Sequence, residues 1–255
     1  MERKKHLLTS ALLVTTLLLV VITVVPLKGS SSGYKSRIYN FYINGNMAGW
    51  EGVVREMELS LKQAPGATLI KKELLGYYYG LAGYLISQKE KKSASDYVAK
   101  GESIITELLA KEPGNAKATA YQAAFLGFRI GINNLKAMTL GMKSAELSKA
   151  AYLRDSLDPQ VVTERANVLY YSPSFAGGDK LEAMRLYQKA VLMLEQENMA
   201  KGNWFYLSLL TNIARLLEES GDLKQAESLY KKILQTEPGY RWVRDELLPS
   251  LQSRL

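Results

Sequence analysis

The sequence predicts an all-α chain of stacked helical hairpins, preceded by one hydrophobic helix at the N-terminus. Three observations predict it. In residues 202–238, Tyr206, Leu210, Ile213 and Leu217 recur at steps of three and four, one apolar helical face. Gly221 then supplies a left-handed helix end and Asp222 a cap for the next helix, with Gln225 three residues on. That second helix carries Leu223, Ala226, Tyr230 and Ile233 on one face, and Pro238 stops it. The second observation is a copy of this pattern 43 residues earlier, where Asp179, Ala183, Tyr187 and Ala190 keep the spacing of Asp222, Ala226, Tyr230 and Ile233. The third is a set of short proline turns at Pro65, Pro113, Pro159 and Pro238. Strand-like alternation is scarce.

Taken in order, the chain opens with the basic residues Arg3, Lys4 and Lys5, then an uncharged run at residues 7–27. As a helix that run reaches about 30 Å, enough to cross a bilayer. It reads as an uncleaved signal-anchor or as a cleaved signal peptide; the small residues at 29–33 suit a cut or a flexible linker. Both readings place residues 34–255 outside the cytoplasm, periplasmic or extracytoplasmic. Lys28, Lys35 and Arg37 weaken the charge asymmetry and leave a reversed topology open.

The helical domain spans residues 34–255, with units at about 34–65, 66–113, 114–159, 160–201 and 202–238 and a capping helix at 239–255. In the first unit Ile38, Phe41 and Tyr42 share a face, Gly45-Asn46 turns, and Trp50, Val54 and Met57 follow with a large residue where later units have alanine. In the second, Gly76, Gly80 and Gly83 thin a helix beside Tyr77, Tyr78, Tyr79 and Tyr84; three glycines cost about 1 kcal/mol each unless a neighbour packs closely. The third breaks at residues 131–134 and continues with Met138 and Met142, expected as core filler. The fourth contains a long turn at residues 171–179, where Phe175 is expected to plug the space between helices. About ten or eleven helices result, the last closed by Trp242, Val243, Leu247 and Leu248.

These residues resemble the tetratricopeptide repeat family, whose helix-turn-helix unit ends in an Ala, large aromatic, Pro pattern. Leu75-Gly76-x-x-Tyr79 is similar to the family's core motif, and residues 112–118 to its inter-repeat junction. The proline spacings of 48, 46 and 79 residues exceed the family's unit, so other helical solenoids stay open. The resemblance implies a curved solenoid whose concave face binds a peptide or partner protein. It assigns lining residues on the first helices of the hairpins: Tyr77, Arg165, Asn167, Ser208, Thr211, Asn212 and Arg215. Residues 173–179 also resemble a loop of exported repeat proteins, including TatT-like periplasmic helpers of TRAP solute transporters; Ala176 departs from the usual glycine. That resemblance implies a helper binding a small ligand or partner subunit, which calls for an enclosed pocket.

Composition narrows the chemistry. There is no cysteine, and the one histidine is His6, so a His/Cys metal cluster and a histidine base are ruled out of residues 34–255. No catalytic residue, cofactor site or enzyme activity is expected; an acid–base hydrolase needs two facing carboxylates in a deep cleft. Net charge is +8, and residues 34–255 hold 29 basic and 24 acidic residues with no dense basic run. Interspersed charge of this kind is a solvated helix surface and argues against nucleic acid as a partner. A membrane is a partner through residues 7–27 if they stay attached.

Overall fold

The computed structural model describes residues 31–255; the apolar run 7–27, and the anchor or signal reading placed on it, lies outside the described residues. Eleven α-helices follow one another, and no strand occurs among the described residues. Ten of them form five antiparallel pairs: α1 (Ser31–Ile43) with α2 (Met47–Gln63), α3 (Thr68–Ser87) with α4 (Lys91–Lys111), and α5 (Ala116–Ile132) with α6 (Ala137–Arg154). The others are α7 (Pro159–Tyr171) with α8 (Lys180–Gln196) and α9 (Trp204–Glu219) with α10 (Leu223–Thr236). A π turn, Val243–Leu247, leads into the short α11 (Leu248–Gln252).

Local chemistry sets the starts. Asn46, Asn115, Asp158, Asp179, Asn203 and Asp222 each accept a backbone N–H of the helix they precede, which satisfies a donor the helix cannot. Pro159 occupies the first turn of α7, where its missing N–H costs nothing. Gly177 and Gly221 take φ of +87° and +86° at the turns into α8 and α10. Gly178 is held by space: a Cβ there would collide with the Ser172 carbonyl oxygen.

Small residues let the pairs close. Ala183 and Ala226 are fully buried beside Tyr187 and Tyr230, also fully buried. Trp50 fills the corresponding place in α2, and the structure accommodates it from across the contact. A Cβ on Gly80 would lie 2.9 Å from the Trp50 ring and 3.1 Å from Trp204.

The first helices run parallel. Lys35 of α1 pairs with Glu73 of α3 at 3.5 Å, near both starts. Lys117 before Ala118 of α5 pairs with Asp158 at the cap of α7 (3.1 Å), again at the starts. At the far ends, Ile86 of α3 lies 3.3 Å from where a Cβ on Gly131 of α5 would sit. The connections 88–90, 133–136 and 172–179 therefore share one end of the molecule. The start of α1, where residues 1–30 join, lies at the opposite end, about 30 Å away by the length of α3.

One core gathers side chains of α1–α5 and a second those of α7–α11, with Ala120, Ala151 and Val161 between them. The first and last hairpins also touch. The Tyr39 hydroxyl donates to Glu237 (2.6 Å), the Tyr42 and Tyr240 hydroxyls bond each other (2.7 Å), and the Trp50 and Trp204 rings meet edge-on at 4.9 Å.

Three expectations are corrected. Met138 and Met142 are 87% and 71% exposed, on the side of α6 turned to solvent, and they fill no core. Phe175 is 94% exposed on a 3₁₀ turn and plugs nothing. Trp242 only partly covers the last hairpin; the Arg215 guanidinium lies over its ring at 5.8 Å, while Val243 and Leu251 are buried.

Candidate functional site

The polar residues of the first helices converge on one buried carboxyl. Glu164 of α7 is 1% exposed. Gln160, one turn earlier, donates to its Oε1 at 2.5 Å, and Asn167, one turn later, donates to Oε2 at 2.9 Å. The Tyr79 hydroxyl of α3 donates to the same carboxylate and accepts from Asn167 at 3.3 Å. Beyond this shell, Tyr121 of α5 donates to Gln160 (3.2 Å) and Tyr187 of α8 donates to Asn167 (2.7 Å). Asn212 of α9 completes the chain with a bond to Tyr187. Five helices are thus joined by one polar seam.

No cation faces Glu164. Burial pushes its carboxyl up to about 7, against the pull of its three neutral hydrogen-bond donors. Burial and the nearby carboxylate raise the Tyr79 and Tyr121 hydroxyls far above the ordinary phenol range. The seam can take up or release a proton near neutrality. Glu164 is 1% exposed, and the hydrogen bonds around it hold five helices in one register. Among the described residues no group of three or more metal-ligating side chains occurs.

The seven residues assigned to a groove separate into three fates. Tyr77 and Thr211 are buried, the first against the Trp50 ring (5.9 Å), the second bonded to the Leu207 carbonyl (2.7 Å) and to Tyr240. Neither is open to a partner, because the contact between the first and last hairpins covers them. Asn167 and Asn212 are consumed by the seam, Ser208 bonds Tyr42, and Arg165 donates to Ser148 of α6 at 3.3 Å. Arg215 is exposed and occupied by Trp242.

Solvent instead meets apolar side chains at the end formed by residues 133–142 and 171–181. Leu135, Met138 and Met142 stand at i, i+3 and i+7 with exposures of 84%, 87% and 71%; Tyr171, Phe175 and Leu181 are also exposed. Lys136, Lys143 and Lys180 lie among them, all exposed. The sequence carries a sign of this surface that periodicity does not read: residues 113–145 contain no carboxylate. A second outer feature is a slot of about 330 Å³ between α8, α9 and α10, open to solvent, floored by Val191, Leu210, Ile213 and Leu217 and edged by Gln188 and Lys232.

Comparison with protein-family models and with curated proteins finds no match.

Proposed function

We propose that the chain is a non-enzymatic scaffold, a tetratricopeptide-like solenoid of stacked hairpins held outside the cytoplasm, that binds a protein partner. The observation that carries the reading is the contrast between its faces. Groove residues are satisfied internally, while six large apolar side chains at one end are left in water. Exposed apolar residues gathered in this way mark binding surfaces. The alternative, a helper of a solute transporter enclosing a small ligand, asks for a closed pocket. The slot between α8, α9 and α10 is open, which favours the scaffold.

Two measurements test this. A C-terminal alkaline phosphatase fusion is active if residues 34–255 lie outside the cytoplasm; an inactive fusion rejects the location. After in-cell cross-linking, the tagged full chain co-purifies with another polypeptide in fixed proportion. A chain recovered alone, under conditions that cross-link known neighbours in the same cells, rejects the scaffold.

A further inference from the structure

Resting on the scaffold reading, we infer that the start of α6 is the docking surface, and that its partner is a protein segment presenting apolar side chains bordered by Asp or Glu. Met138 and Met142 lie one turn apart on α6, and Leu135 precedes them on the 3₁₀ turn Asn134–Lys136, all at 71–87% exposure. A helix of a soluble domain places such a stripe against a core; here nothing among the described residues covers it.

Charge identifies the partner's chemistry. Of the four cations in residues 113–145, Lys117 pairs with Asp158 at 3.1 Å and Arg129 with Glu102 at 2.6 Å. Lys136 and Lys143, the two that flank the stripe, form no ion pair among the described residues, although the exposed Glu146 follows Lys143 by three residues on α6. The carboxylates on the neighbouring connection are engaged elsewhere. Asp179 caps α8 through the Glu182 N–H (2.9 Å), and Glu182 pairs with Arg185 (3.2 Å). An apolar stripe edged by free lysines is complementary to an apolar segment edged by carboxylates, and it disfavours a second copy, which brings the same lysines.

The stripe lies at the end of the molecule opposite the start of α1, about one length of α3 away. Cross-linking separates a protein occupant from a lipid one.

The test places a photo-cross-linking phenylalanine at the exposed Thr139 of the full chain in its own cells. The expected result is an adduct with another polypeptide, mapped by mass spectrometry to a segment with Asp or Glu beside apolar residues. Lys136→Glu/Lys143→Glu should reduce it at least five-fold. Both lysines are exposed, so the exchange leaves the core untouched; unchanged circular dichroism checks this. No adduct, an adduct with a second copy or a phospholipid, or one indifferent to the charge exchange overturns the proposal. The same probe at Leu192, on the slot, separates the two readings. Adducts there alone reject this surface and keep the scaffold; adducts at neither position reject both.

Discussion

Glu164 makes folding depend on pH in an unusual direction. Its folded pKa is raised to about 7, above the unfolded value near 4.3, so the folded state holds a proton that the unfolded state gives up. The contribution to stability is present below about pH 4 and is lost as pH rises through 7, at most about 4 kcal/mol. Denaturant unfolding of the parent at pH 5 and pH 8 should therefore show lower stability at pH 8, and Glu164→Gln should remove most of that difference. Equal pH slopes in the two proteins would show that the carboxyl is not titrating in this window. The sequence made the seam only partly legible. Asn167 and Asn212 were assigned to a groove by the family resemblance, but a groove and an internal network ask for the same residue types. What decides between them is Tyr79 and Tyr187, contributed by helices 88 and 20 residues away.

At the scale of elements, the spacing of glycines distinguishes contact from mere tolerance. Gly101 is buried in α4, and a Cβ there would overlap the ring of Phe125, itself buried at 1%. Gly127 of α5 is exposed, and a Cβ there meets nothing within 4 Å. Gly101→Ala should destabilise by about 1–3 kcal/mol through overpacking, while Gly127→Ala should stabilise by roughly 0.5–1 kcal/mol through helix propensity. Thermal melts of the two variants check this; similar shifts in the two would mean that α4 and α5 are not in close contact at Phe125. Helix boundaries at caps and proline turns were readable because these are local chemistry; the start of α1 at Ser31, within the small residues 29–33 read as a linker, was not. The exposure of Met138, Met142 and Phe175 was not, because a methionine or phenylalanine at helical spacing looks the same over a core and over water. The missing carboxylates between Pro113 and Ala145 were the one available sign.

Across the whole molecule, the contact between the first and last hairpins has no trace in any window of sequence, since Tyr39 and Tyr42 are each 198 residues from their partners. Stacked hairpins without such a contact unravel from the ends, each held only by its neighbours. Here Tyr42, Trp204 and Tyr240 bind the ends together, and Tyr42 is pushed up to about 12 by its burial. Tyr39→Phe/Tyr42→Phe removes three hydrogen bonds, to Glu237, Tyr240 and Ser208, each contributing about 0.5–1.5 kcal/mol. Tryptophan fluorescence should then report unfolding at lower denaturant than circular dichroism, while in the parent the two coincide. Coincident transitions with an unmoved midpoint would show that these bonds do not hold the ends. The same contact sets a clock on biosynthesis. At about 5–20 residues per second, a ribosome finishes Tyr240 roughly 10–40 s after Tyr42. Through that interval the sides of Tyr42 and Trp50 that meet Trp204 and Tyr240 stay uncovered, so a nascent chain carries its own mark of incompleteness until its last hairpin has been made.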